Sequence, residues 1–306
     1  MKSIKEAGDL KGKKVLVRVD WNVPIQDGVV LDDFRIKKSQ ETLEYLTQAG
    51  GEVLIATHLE EGDFEVLKNF VPLGAVLLPN LRGGSGEEEN SEEFAKSLAA
   101  QAEVYVNEAF SVSHRKHASI VSVPKLLPSF AGINFVAEVE NLSKAFNPTH
   151  PFLFILGGAK FETKAPLIHK FLDIADEIFI GGLNAAKAYE TELKDNPKIF
   201  FPHGDIKALD VDEETIKNLQ FKINNSEFIL WNGPVGKYED EYKKGTLEIA
   251  QAIANSGKES IVGGGDTIAA IKELNLFDKF SFVSTAGGAM LDFLATGTLP
   301  GIEALG

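Results

Sequence analysis

Residues 152–160 read FLFILGGAK, five apolar residues followed by Gly157, Gly158, Ala159 and Lys160. A continuous apolar run of this length, bounded by glycine, predicts a strand buried on both faces. The pattern recurs through the second half. EIFI (177–180) leads into Gly181-Gly182, FILW (228–231) into Asn232-Gly233-Pro234, SIV (260–262) into Gly263-Gly264-Gly265-Asp266, and FSFVST (280–285) into Ala286-Gly287-Gly288. Helix-like stretches such as TIAAIKEL and AMLDFLATG follow most of these turns. The first half repeats the rhythm with polar endings. VLVRV (15–19) leads into Asp20-Trp21-Asn22-Val23-Pro24, VLIA (53–56) into Thr57-His58, AVLLP (75–79) into Asn80-Leu81-Arg82, and VYV (104–106) into Asn107 and then His114-Arg115-Lys116-His117. Between them, RIKKSQETLEYLTQAG ends in a glycine suited to a helix C-terminus, and NSEEFAKSLAAQA opens with Asn90 and has Glu93 three residues on, predicting a capping box on Asn90.

Buried strands alternating with helices predict an α/β protein with parallel sheets covered on both faces. Two such series predict two doubly wound domains. The break between them is expected near 137–151, a helix-like stretch stopped by Pro148 and Pro151. This sets residues 1–137 as one domain, 138–150 as a connecting helix and linker, and 151–294 as the other.

Composition narrows the function. The chain of 306 residues has 45 acidic against 31 basic side chains, a net charge of −14 that argues against binding nucleic acid or an anionic membrane. Cysteine is absent, which excludes disulfides, thiol nucleophiles, iron–sulfur clusters and thiolate zinc sites. No apolar run is long enough to cross a bilayer, and the first residues lack the apolar core of a signal peptide, so the expected compartment is the cytoplasm. The four arginines, Arg18, Arg35, Arg82 and Arg115, all lie in the first 115 residues.

In open α/β sheets ligands bind beyond the carboxyl ends of the strands. In the second half that edge is built from glycines ahead of helix starts, where backbone N–H groups and the helix dipole favour a polyphosphate. Neither the P-loop nor the dinucleotide fingerprint is present. Lys160 and Lys164, spaced i, i+4, are expected on one helix face beside Gly157-Gly158, and a lysine is dipole-unfavourable at a helix start, so Lys160 reads as a phosphate ligand. Asp266, after three glycines, reads as a helix N-cap, as a direct or water-mediated contact to a nucleotide-bound Mg²⁺, or as both. The first-half edge offers Asp20, Asn22, Arg35, His58, Arg82, His114, Arg115 and His117, a set suited to a small, multiply charged anion. For Arg35 an ion pair with Asp32 or Asp33 is the alternative reading, and Asp20 could cap a turn before Pro24. Polyphosphate on one domain and a small anion on the other imply phosphoryl transfer, which needs positioning and charge stabilisation more than a nucleophile.

These motifs resemble the phosphoglycerate kinase family. VLVRVDWNVP, DDFRI, THL, NLRGGSGEEE, YVNEAFSVSHRKHAS, FILGGAK, ILWNGPVGKYE, GGGDT, STAGGA and LPGIEAL occur in the family's order from residue 14 to the C-terminus. The resemblance implies two Rossmann-like domains with parallel sheets facing across a hinged cleft, and an enzyme of glycolysis. That enzyme moves a phosphoryl group reversibly between ATP and the carboxylate of 3-phosphoglycerate, giving 1,3-bisphosphoglycerate and ADP. It implies Mg²⁺ dependence, a cytosolic monomer, and a C-terminal tail (295–306) packed on the first domain. Asp20, Asn22, Arg35, His58, Arg82, His114 and Arg115 fall on the family's phosphoglycerate side, with Arg35 also meeting the transferring group. Lys160 matches the lysine that stabilises that group, and Gly287 and Gly288 match backbone donors beside it. Gly157, Gly158, Lys164, Asn232, Pro234, Glu239, Gly264, Gly265, Asp266 and Thr267 match nucleotide-side positions, Asp266 near Mg²⁺. Where the family reads S-H-L-G-R-P, this chain has Thr57-His58-Leu59-Glu60-Glu61-Gly62, so Glu61 stands in place of a substrate arginine. The segments 58–82 and 182–231 are shortened, the first by what looks like a βα unit. A non-catalytic relative that binds a nucleotide or phosphorylated metabolite is the alternative.

Overall fold

The computed structural model describes residues 1–238 and 242–306. The chain divides into two compact units, Met1–Glu140 with Thr298–Gly306, and Asn141–Gly297.

The first unit is built on a five-stranded parallel sheet. Its strands are β1 (Lys14–Arg18), β4 (Glu52–Ala56), β5 (Ala75–Leu77), β6 (Val104–Asn107) and β7 (Ser129–Ala131), in the order β5-β4-β1-β6-β7. Val15, Leu16, Val17 and Arg18 of β1 are all buried, as expected of a central strand covered on both faces. Between β1 and β4 lie a small hairpin, β2 (Ile25–Gln26) and β3 (Val29–Val30), and helix α1 (Phe34–Gln48). The hairpin turns through Asp27-Gly28, both at positive φ, the geometry that a two-residue Asp-Gly turn favours. Helix α2 (Glu92–Ala99) precedes β6, and α3 (Ile133–Ser143) follows β7. The N-cap of α2 is Ser91, whose hydroxyl accepts from the Phe94 N–H at 3.3 Å. This corrects the expectation of Asn90, which is held in the left-handed region at φ 55° and so sits outside the helix.

The second unit carries a six-stranded parallel sheet. Its strands are β8 (Phe152–Leu156), β9 (Glu177–Ile180), β10 (Ile199–Phe200), β11 (Phe228–Asn232), β12 (Glu259–Gly263) and β13 (Phe282–Val283), in the order β10-β9-β8-β11-β12-β13. Counted along the unit, this is the 3-2-1-4-5-6 order of doubly wound dinucleotide-binding sheets. Helices α4 (Phe161–Phe171), α5 (Asn184–Tyr189), α6 (Glu213–Asn225), α7 (Lys244–Ser256), α8 (Gly265–Glu273) and α9 (Gly288–Thr296) make the crossovers and cover the faces. The last helix, α10 (Pro300–Ala304), belongs to the first unit, where the Gly301 N–H donates to the Ser113 carbonyl at 2.9 Å. Among the described residues no helix is long and apolar enough to cross a membrane.

In both sheets the order reverses beside the first strand, between β1 and β6 and between β8 and β11. Those are the points at which a doubly wound sheet opens a crevice at its carboxyl edge.

Candidate active site

The first unit's edge is organised by a residue that motif reading passed over. Arg18, at the end of β1, is fully buried. Its Nε donates to Ser119 Oγ at 2.8 Å, Nη2 approaches His58 Nδ1 at 3.1 Å, and Nη2 lies 4.0 Å from Glu87 Oε1. Glu87 is equally buried and accepts from the Ser119 N–H and hydroxyl at 2.8 and 2.6 Å. A lone arginine inside the run VLVRV was the available signal, because a buried guanidinium has to be paired.

Arg18 also fixes the histidine. A guanidinium has no acceptor, so the 3.1 Å contact assigns Nδ1 of His58 as the acceptor and places the ring proton on Nε2. Burial, followed by the Arg18 charge, pushes His58 down to about 3, so the ring is neutral at physiological pH. Its Nε2 is buried without a hydrogen-bond partner among the described residues. Arg82 shows the same feature. Its Nε lies 3.3 Å from Glu88, while Nη1 and Nη2 are buried and have no hydrogen-bond partner among the described residues. Buried donors left unpaired are costly, and an anion held by both groups removes that cost.

Asp20 is a clamp for arginine. Its Oδ2 lies 3.3 Å from Arg35 Nη1 and accepts from the Ser111 hydroxyl. Burial alone would raise the Asp20 carboxyl, but the Arg35 charge and the Ser111 hydrogen bond outweigh it and hold the group below its usual range. Arg35 Nη1 also donates to the Asn22 carbonyl at 3.2 Å. The loop is fixed by Trp21, whose backbone N–H donates to Thr57 Oγ1 at 2.9 Å and whose indole donates to Ser39 Oγ at 2.8 Å. The turn-cap reading of Asp20 is seen as well, since its Oδ1 accepts the Asn22 N–H at 3.2 Å, and the ion pair of Arg35 is with Asp20. His114 and Arg115 follow a short helical turn (Phe110–Val112) beyond β6, and Arg115 Nη1 lies 3.8 Å from Glu60 Oε1.

Glu61, expected to intrude where the family has an arginine, is exposed. The carboxylate that faces the basic cluster is that of Glu60, which also lies 3.9 Å from His58 Nε2. Glu61 stands at the family's arginine position in the sequence, and the neighbouring Glu60 is the acidic residue near the donors.

The second unit's edge differs from the sequence reading in the use of its glycines. The Gly157 N–H donates to the Asn232 carbonyl at 2.9 Å, Gly158 to Pro234 at 2.7 Å, and Gly182 to Val235 at 3.0 Å. The Gly233 N–H donates to Thr267 Oγ1 at 3.0 Å. These N–H groups join the β8, β9, β11 and β12 loops to one another, so they are not phosphate donors. A Cβ on Gly157 would fall 2.1 Å from the Pro234 carbonyl oxygen, and one on Gly182 2.7 Å from the Gly158 nitrogen. Close packing of backbone on backbone is the reason for glycine there. The open positions are Gly265, with nothing within 4 Å of an added Cβ, and Gly287, whose nearest neighbour is the Gly264 Cα at 3.6 Å. They stand at the starts of α8 and α9, where the first N–H groups have no intrahelical acceptor.

Lys160 and Lys164 do not share a helix face. Lys160 is the N-cap of α4 with φ 64° and ψ 57°, and this left-handed residue turns the chain before the helix begins. Its side chain is exposed. Lys164 lies inside α4, buried, and its Nζ donates to the Gly157 carbonyl at 2.6 Å, an oxygen that also accepts from Asn184 Nδ2 at 2.8 Å. Burial pushes Lys164 down to about 8, against the opposing pull of the Asp266 charge. Asp266 is the second residue of α8, whose N-cap is Gly264, so the capping alternative is set aside. Asn232 is buried at the end of β11. Glu239 lies outside the described residues.

A family model described as phosphoglycerate kinase matches residues 4–73, 61–191 and 183–297. The chain belongs to the phosphoglycerate kinase family. A phosphoglycerate kinase of Leptospira biflexa is 35% identical over 384 aligned positions, covering 98% of this chain and 97% of the relative. One of Dictyoglomus turgidum is 35% identical, covering 97% and 96%. Among solved structures, phosphoglycerate kinase from Coxiella burnetii matches with TM-score 0.82 at 31% identity, covering 99% of this chain and 98% of that one. The Pyrococcus horikoshii enzyme matches with TM-score 0.86 at 26% identity, covering 100% and 98%. An alignment of 384 positions on a chain of 306 residues places the difference in internal gaps. The connection from β4 to β5 contains a single 3-10 stretch, Phe64–Phe70.

Proposed function

We infer that this chain is a working phosphoglycerate kinase of glycolysis, and that the buried, unpartnered donors of His58 and Arg82 on the first unit's edge hold 3-phosphoglycerate. Asn22 and Arg115 complete that side, with His114 beside them, and Asp20 acts by aiming Arg35. On the second unit, Lys164, Asn232, Pro234 and Gly264 to Thr267 surround the nucleotide, and the starts of α8 and α9 supply N–H groups to its phosphates. Gly157 and Gly158 shape this pocket through their packing.

A carboxylate oxygen of 3-phosphoglycerate attacks the γ-phosphorus of ATP. The bond from γ-phosphorus to the β–γ bridging oxygen breaks, and its electron pair leaves on ADP. No proton has to move, because the acceptor is already ionised at pH 7. The work left to the protein is to align the reactants and offset charge on the transferring group, which Arg35, Lys160 and the N–H groups of Gly287 and Gly288 are placed in sequence to do. Among the described residues no group of three or more His, Asp or Glu side chains could cage a metal. The half-buried Asp266 carboxylate suits Mg²⁺ held chiefly by nucleotide phosphates with a single protein ligand. Bound there, directly or through water, the ion would neutralise phosphate charge. We take the working form to be a cytoplasmic monomer.

The deciding experiment is 3-phosphoglycerate-dependent ADP formation from Mg·ATP by the purified chain. Wild-type turnover is expected, with kcat/KM lowered about 100-fold in Arg35→Ala, the equivalent of one charge-assisted contact of about 3 kcal/mol. A folded wild-type protein without turnover at millimolar substrates would leave the non-catalytic relative as the reading.

Lys164 gives this reading a pH signature. Its ammonium attracts phosphate only while protonated, and in the free protein it titrates near pH 8. Nucleotide affinity should therefore weaken as pH rises from 7 to 9, and Lys164→Met should bind more weakly at pH 7 and lose that pH dependence. Calorimetric titration with ADP across the range checks both.

A further inference from the structure

We propose that Glu60 is a built-in competitor for the first unit's anion site, a residue that sets how tightly this chain holds its anionic substrate. The inference rests on the reading of that edge given above, but its geometry belongs to this chain. The Glu60 backbone N–H donates to Asn22 Oδ1 at 3.1 Å, which fixes the root of the side chain beside the site. From there Oε1 lies 3.8 Å from Arg115 Nη1 and 3.9 Å from His58 Nε2. These are two of the cationic or N–H donors that an incoming phosphate or carboxylate would use. The distances are too long for hydrogen bonds, so the carboxylate offsets the Arg115 charge and faces the His58 N–H without satisfying either. At 53% exposure the Glu60 side chain can swing into solvent when a more highly charged anion arrives.

Glu60 therefore stands beside the donors and repels an incoming anion while it remains near. An exposed ion pair of this kind is worth up to about 1 kcal/mol, or about five-fold in affinity. Glu61, one residue on, is exposed and forms no ion pair with the described residues, so it serves as the charge-matched control.

The test uses two anions on the full chain. Inorganic sulfate is titrated while the His58 imidazole resonances are followed, and KM for 3-phosphoglycerate is measured at saturating Mg·ATP. Glu60→Gln should lower both the sulfate dissociation constant and KM about five-fold, with kcat within two-fold of wild type. Glu61→Gln should change neither. A merely structural role would not tighten binding. If Glu60→Gln leaves both constants unchanged or weakens them, or if Glu61→Gln has the same effect, the proposal is overturned. Should the wild type show no turnover, the kinase reading fails separately, and the sulfate titration alone decides for or against Glu60.

Discussion

Replacing Lys160 by alanine should lower kcat about 1,000-fold and leave the fold intact. Removing one group that stabilises charge only in the transition state costs ~10²–10³ in turnover. Lys160 sits at the high end of that range because it carries a full charge at a helix start, where the dipole already favours an anion. Its side chain is exposed and forms no hydrogen bond or ion pair with the described residues, so its truncation removes no structural contact. The backbone makes the prediction sharper. Lys160 holds φ 64°, a conformation that costs a non-glycine residue ~1 kcal/mol or more. Lys160→Gly should therefore lose activity as severely as Lys160→Ala while gaining up to ~1 kcal/mol of stability. Thermal melting and the coupled ADP assay on the two variants separate the roles. Full turnover in either would refute the assigned chemistry. Strain kept at a position where glycine is cheaper argues that the ammonium, not the turn, is why lysine stands there.

The same residue shows where the sequence was legible. Continuous apolar runs gave the central strands and their parallel pairing, because burial on both faces leaves a signature in a short stretch of chain. FLFIL became β8 with all five residues buried. Side-chain direction at loop ends is not local in this way. The i, i+4 spacing of Lys160 and Lys164 assumes a helix already running at Lys160, whereas the helix begins one residue later. The Asn90 capping box failed for a related reason: Ser91 offers a capping hydroxyl one residue on, and the left-handed turn at Asn90 excludes it from the helix. Arg18 and Glu87 are 69 residues apart and join through Ser119, so neither position alone signals the network that orients His58. Glu60 was hidden by its neighbour, since two adjacent glutamates on an exposed loop differ only in which way the backbone turns them. The 3-10 stretch Phe64–Phe70 between β4 and β5 had no signature in the apolar pattern.

The glycines of the second edge should divide by experiment into two classes that the sequence could not tell apart. Gly157→Ala puts a methyl group 2.1 Å from the Pro234 carbonyl oxygen and 2.6 Å from that of Gly233. Both obstacles are backbone, tied by hydrogen bonds to the same loop, so no side chain can swing aside. The β11 loop has to move, and the bonds from Gly157 to Asn232 and from Gly158 to Pro234 lengthen with it. Overpacking in a site this rigid costs about 3 kcal/mol, at the upper end of its usual range. For a unit of this size that amounts to a fall in melting temperature of roughly 6–12 °C. Gly265→Ala is the counterpart. Its added Cβ meets nothing within 4 Å, and its φ lies outside the left-handed region, so stability should change by less than about 0.5 kcal/mol. If its open side is where the nucleotide phosphates lie, the methyl group will obstruct them, and affinity for ADP should fall about ten-fold. Denaturant melts and ADP titrations of both variants give a two-by-two outcome. Loss of stability in Gly157→Ala with retained stability and weakened ADP binding in Gly265→Ala assigns packing to the first glycine and ligand contact to the second. A Gly265→Ala protein that binds ADP as well as wild type would move the phosphates away from the start of α8, leaving the start of α9, at Gly287 and Gly288, to hold them.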